Sequence, residues 1–214
     1  MRRNNLMLWT ALPAAVLLVA CQQMPGSSAA ATTSGTAYRV ESGQSEVRFV
    51  TTKSGVPGAG GVTESNRFTR FAGNINPGGR ITLDIDLTSV STGIEIRDER
   101  VRTMLFNVKA IPQASFSAQL DPTLMSSLPA GTARDLDLQG SLTLANQTRP
   151  VLAQLRWTRQ SDGSIQAWTR APIVVDAAQY GLKPGVEALR EIVGLSFLST
   201  SAPVSLALVL RPER

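Results

Sequence analysis

The chain has no histidine and a single cysteine in 214 residues. The first absence removes Ser-His-Asp and Cys-His nucleophile arrangements, histidine-based metal sites and histidine-ligated haem together. The second rules out an intramolecular disulfide, so any fold must stand on its core alone. Lysine is scarce, with Lys53, Lys109 and Lys183 the whole supply. The remaining positive charge is arginine, scattered without a stripe or interleaved aromatics, so nucleic acid is not an expected partner. Aromatics make up only 5% of the residues, and no apolar run is long enough to remain in a membrane as a helix. No internal repeat and no second domain are visible. Paired carboxylates do occur, at Asp84/Asp86, Asp98/Glu99 and Asp135/Asp137. The first and last pairs fall on the polar side of alternating segments, where solvated faces explain them better than general acid–base work. No catalytic residue and no metal ligand is assigned, and an enzyme is not expected.

What is present begins with a leader. Arg2 and Arg3 precede a short apolar run, Leu6–Val19, that ends in Leu18-Val19-Ala20-Cys21. This reads as a secretory signal over residues 1–20, and its last four residues resemble the lipobox of bacterial lipoproteins. That resemblance implies lipidation of Cys21, with several acyl chains for a firm hold. It also implies a periplasm-facing lipoprotein, and Gln22 after the cysteine points to the outer membrane. The net charge of +5 becomes +3 once Arg2 and Arg3 leave with the signal. Residues 21–36, rich in Ser, Ala, Thr and Gly, then read as a lipidated cysteine and flexible tether to one domain over residues 37–214.

Within that domain the signal is alternation. Ile81, Leu83, Ile85 and Leu87 oppose Thr82, Asp84, Asp86 and Thr88, which is the period of a strand with one dry face. Asp98 then opens a one- or two-turn helix through Val101 and Leu105, which Ile111-Pro112 stops before chain around Phe116 resumes as a strand. Such a helix could close over something. Leu136–Leu144 and Val151–Trp157 alternate around Ala145-Asn146-Gln147 as a hairpin. Further strands are expected at Ala37–Thr51, from Phe68, around Trp168 and Ile173–Val175, and at Val204–Leu210. Ser54–Gly61 reads as a plain loop rather than a phosphate cradle, since no Gly-Lys-Ser/Thr follows. Asp121–Arg134 reads as a turn-rich link, and Gly185–Leu198 as a second helix. About eight strands with one or two short helices predict an all-β antiparallel barrel or sandwich.

Several landmarks together resemble the YceI-like family of bacterial periplasmic proteins. They are Ala37-Tyr38-Arg39-Val40, Leu87–Gly93 followed by Arg97-Asp98-Glu99 and Leu105–Val108, Ile111-Pro112 with Phe116, Gly140–Leu144, Thr148–Val151 and Tyr180-Gly181-Leu182. The resemblance implies a lipocalin-like antiparallel β-barrel enclosing an apolar tunnel that holds a polyisoprenoid or another long-chain lipid. No cofactor is required beyond such a lipid. Some members pair as dimers, so a homodimer is a possible partner state. The dry-face residues Phe49, Phe71, Leu83, Ile85, Leu87, Phe106, Phe116, Leu155 and Trp157 are then the candidate tunnel lining. Arg97 and Asp98 would hold the short helix at the mouth. Arg100 stands where the family often has histidine, and Ala177 where it has arginine. The rival reading is a ligand-free module that docks an envelope protein complex, its barrel plugged by Trp157, Trp168 and the Gly185–Leu198 helix.

Overall fold

A computed structural model describes residues 35–58 and 60–213. The signal segment, Cys21 and all but the last two residues of the tether lie outside these. Among the described residues no helix is long and apolar enough to cross a membrane.

The strands are β1 (Tyr38–Val40), β2 (Glu46–Ser54), β3 (Val62–Phe68), β4 (Phe71–Ile75), β5 (Arg80–Asp86), β6 (Val90–Ser91), β7 (Gln113–Gln119), β8 (Ala133–Leu144), β9 (Gln147–Arg159), β10 (Ile165–Thr169), β11 (Ile173–Asp176), β12 (Phe197–Leu198) and β13 (Ser201–Pro212). Among the described residues three α-helices accompany them: α1 (Glu95–Arg100), α2 (Pro122–Ser127) and α3 (Lys183–Ile192). Many of the strands are halves of longer ones. β1 and β2 are separated by one 3-10 turn, β3 and β4 by Thr69-Arg70, and β10 and β11 both lie along one edge of β13. Joined in this way they form eight antiparallel staves in chain order, and β13 closes the circle by pairing with both β1 and β2. A closed antiparallel barrel leaves no long unpaired edge. The expected barrel is therefore present, and its topology is a simple meander despite the helical excursion after β6.

Local chemistry sets the breaks. The Asp86 carboxylate accepts the Thr88 amide at 2.8 Å, which turns the chain out of β5 into a 3-10 turn. Ala145 and Asn146 both take positive φ, and Leu144 pairs directly with Gln147, so the β8–β9 hairpin closes on a two-residue turn. On the outer face Arg156 grips Asp135 at 2.6 and 2.9 Å, and Arg170 reaches Asp137 at 2.7 Å. The Arg156 hydrogen bond holds the Asp135 carboxyl below its ordinary value. These carboxylates are the surface pairs expected from the alternation.

Three expectations need correction. The segment around 122–127 is a helix, started by Asp121 accepting the Thr123 amide and by Pro122 in the first turn. Gly185–Leu198 is not helical throughout: α3 ends at Ile192, and Phe197-Leu198 pairs with Lys53-Ser54 of β2. The stretch 62–67, not anticipated as strand, forms most of β3 because its inward positions are polar and hide the alternation.

One end of the barrel is shut. Tyr38, Ile75, Leu120, Met125, Leu128 and Leu210 pack there, none more than 6% exposed. Helix α2 covers this end, pinned by the Arg159 guanidinium donating to the carbonyls of Met125 and Leu128. A second apolar cluster of Leu87, Val90, Val101, Phe106, Leu144, Tyr180 and Leu182 surrounds the other end.

Candidate functional site: an apolar cavity with a polar mouth

Between the two clusters the barrel is not filled. A cavity of about 580 Å³ runs down its interior, bounded chiefly by aliphatic and aromatic side chains. An eight-stranded barrel is about the smallest that can hold a ligand, and whether it does depends on how large its inward side chains are. Here several are small: Ala114, Ala153, Ala167 and Ala202 all border the space. Gly140 adds room of another kind. A Cβ at this position would lie 2.3 Å from the Phe116 ring, so the missing side chain lets that ring lie against the β8 backbone.

Of the candidate lining residues, Phe49, Leu83, Ile85, Leu87, Phe106, Phe116, Leu155 and Trp157 border the cavity. Phe71 does not. It is 9% exposed and packs in the large core cluster, paired with Ile85, without bordering the cavity. Nor is the barrel plugged as the rival reading requires. Trp157 forms part of the wall, Trp168 is 37% exposed, and α3 lies at the mouth.

The mouth is where Ile94, Ile96 and Val193 border the cavity while remaining about half exposed. Two excursions frame it. The first runs from Thr92 through α1 into one wide helical turn, where the Phe106 amide donates to the Val101 carbonyl five residues back. That extra residue per turn brings both Leu105 and Phe106 to the cavity. Asp98 lies inside this helix, not at its start, and its carboxylate takes the Thr92 amide and hydroxyl at 2.7 and 2.6 Å. The second excursion is α3 and the return to β12, which contributes Val186, Leu189, Leu195 and Leu198. The two meet at Gly185, where a Cβ would stand 2.7 Å from the Met104 carbonyl oxygen and 2.9 Å from the Leu105 Cα.

Below α1 the inner face of β2 and β3 changes character. Phe49 and Phe68 stack at 5.2 Å, and Phe68 leans on Phe106 at 6.2 Å. One pair nearer the mouth, Asn66 faces Phe49, and Thr51 then faces Glu64. The Glu64 carboxylate is shared between Lys53 Nζ at 2.9 Å and Arg97 Nη1 at 2.8 Å. Arg97 thus ties α1 to the barrel, as expected, but its partner is on β3. Sequence reading did not anticipate Thr51, Lys53, Glu64 or Asn66 as cavity residues. The only signal was a run of polar residues at every second position, which reads as a wet outer face.

A closed meander barrel with an apolar interior cavity open at one end defines a lipocalin-like ligand-binding barrel. The chain belongs to the YceI-like family, whose domain model matches residues 38–209. Among solved structures it is similar to a polyisoprenoid-binding domain from Saccharophagus degradans implicated in plant cell wall breakdown. The two share 30% identity over 82% of this chain and 98% of that one, with a TM-score of 0.77. It also shares the fold of Burkholderia cenocepacia BcnA, at 17% identity over 79% of this chain and 98% of that one, TM-score 0.59. Comparison with curated proteins gave no match.

Proposed function

We propose that this protein binds a long-chain isoprenoid or a related amphiphilic lipid in its barrel, as a non-catalytic carrier or store. The observation that carries the reading is the cavity of about 580 Å³ with its apolar wall. The Saccharophagus degradans relative, described as polyisoprenoid-binding, supports it. A barrel that served only as a docking module would need no such space, and empty apolar volume costs stability.

The volume limits the cargo. Benzene occupies an apolar cavity of about 150 Å³, roughly 25 Å³ per carbon. On that scale this cavity seats about 23 carbons, or four to five prenyl units, and a longer chain would leave its remainder outside the mouth. Each buried CH₂ contributes about 0.8 kcal/mol, so such a chain binds by burial alone. The leader and Cys21 suggest that the barrel works on a tether at the envelope membrane, facing the periplasm.

The test is native mass spectrometry on the protein purified from a bacterial envelope, followed by organic extraction of whatever accompanies it. A stoichiometric long-chain lipid is the expected result. A clean apo mass that stays unchanged after incubation with geranylgeraniol (C20) and with a C40 prenol would sink the reading.

A further inference from the structure

The large apolar side chains left exposed gather at one end of the molecule. Val56, Ile94, Ile96, Ile192, Val193 and Phe197 are each at least 46% exposed. Ile94, Ile96 and Val193 border the cavity where it opens. Ile192 ends α3 beside Val193, and Phe197 precedes Leu198, which pairs with Lys53 and borders the cavity. Val56 adjoins them through Ser54, which pairs with Phe197 and whose hydroxyl donates to the Val56 carbonyl at 2.9 Å. Among the described residues the closed end leaves no large apolar side chain exposed to this degree. The charges around the rim cancel. α1 and the turn after it carry Glu95, Asp98 and Glu99 against Arg97, Arg100 and Arg102. α3 carries Glu187 and Glu191 against Lys183 and Arg190, and Lys53 meets Glu64. Outside the polar group at its throat, the mouth therefore offers apolar contact without net charge.

We propose that this rim seats the mouth on a lipid bilayer, so that cargo passes between membrane and barrel without crossing water. This rests on the lipid-binding reading and adds the partner. Contiguous exposed apolar side chains with polar neighbours mark interaction surfaces, and here the surface is continuous with the entrance of the cavity. A protein seated on it would cover that entrance. A bilayer covers the same side chains and also supplies the cargo. A prenyl chain travelling through water would instead expose to solvent every CH₂ that both the membrane and the barrel bury. The balanced charge suits a neutral surface and offers no pull to an acidic or basic protein. The reach of the chain allows the arrangement. Gly35 lies against Pro77, in the turn after Ile75 of the closed end. Residues 22–34 thus link Cys21 to that end, and at roughly 3.3 Å per residue they extend to about 46 Å. β9, at 13 residues, rises about 33 Å when tilted by roughly 40°. A chain held at Cys21 can therefore turn its mouth toward the membrane that holds it.

The experiment uses the full chain carrying Cys21→Ser, so that no acyl anchor holds it to a vesicle. Protein loaded with a dansyl-labelled C20 prenol is mixed with excess phosphatidylcholine vesicles, and loss of the bound signal is followed by stopped flow. Docking makes the rate rise in proportion to vesicle concentration, whereas release through water makes it independent of that concentration. We expect proportionality. Ile192→Ser combined with Phe197→Ser, at two positions that do not border the cavity, should lower the slope at least fivefold. Val174→Ser, on the flank of the barrel and 65% exposed, should leave it within twofold. Only loaded, and hence folded, protein contributes signal, so a general loss of stability does not imitate the effect. A rate indifferent to vesicle concentration, or a slope unchanged in the double variant, overturns the docking face while leaving the lipid reading intact. So does a slope that Val174→Ser lowers as far, or one that falls as the protein is concentrated, the sign of a second copy on the rim. Failure of the prenol to load overturns both.

Discussion

Trp157 shows what an empty barrel costs at the level of one residue. It is 5% exposed in the cavity wall, and its indole Nε1–H is buried without an acceptor. An unmet buried donor costs about 1–3 kcal/mol. Phenylalanine at this position would keep most of the apolar wall and discard the N–H, and the side facing the cavity has no packing to lose. Trp157→Phe should therefore stabilise the delipidated protein by about 1 kcal/mol, about 2–4 °C in Tm for a chain of this size. Thermal unfolding of the stripped variant checks this, and a fall in Tm would mean that the indole has a partner in solution.

At the level of elements, the mouth depends on how closely α3 approaches the wide turn after α1. Gly185 permits that approach, and what a side chain there would strike is backbone, not a flexible tip. Gly185→Val should push α3 away from Met104 and Leu105. Overpacking of this kind typically costs about 1–3 kcal/mol. Because the damage falls on the lid and not on the closed-end cluster, exchange of a bound fluorescent lipid should also accelerate severalfold. Stopped-flow displacement measures it. A lower Tm with unchanged exchange would indicate that the two helices are not the gate.

At the level of the whole molecule, binding and stability are linked. A lipid that occupies only the closed, folded barrel at one hundred times its Kd adds about 2.7 kcal/mol. For a chain of this length that corresponds to a rise of about 5–11 °C. Delipidated protein mixed with geranylgeraniol should show that shift, and a ligand-free interaction module would show none. The closure of the sheet gives the reason the shift registers globally: β13 pairs with β1, β2, β10 and β11, so the cavity wall cannot loosen without opening the barrel.

Much of this was legible in the order of residues, because a strand with one dry face writes its period into the sequence. The alternation of Ile81–Leu87, of Leu136–Leu144 and of Val151–Trp157 was enough for the barrel class. It was also enough to put Leu83, Ile85, Leu87, Leu155 and Trp157 on the cavity, since inward is where a dry face of a barrel strand points. Phe71 is buried without bordering the cavity, and alternation tells buried from exposed but not which buried side chains stand at a cavity surface. β3 escaped for another reason. Its inward positions include Glu64 and Asn66, and polar residues at every second place carry the same pattern as a wet face. Only the closure of the barrel decides that these side chains turn toward the mouth beside Lys53 and Arg97. The sequence by itself determined the class of fold and the apolar chemistry of its interior, both local consequences of periodicity. The empty volume and the polar mouth depend on residues brought together from β2, β3 and α1, and only the tertiary structure could decide them.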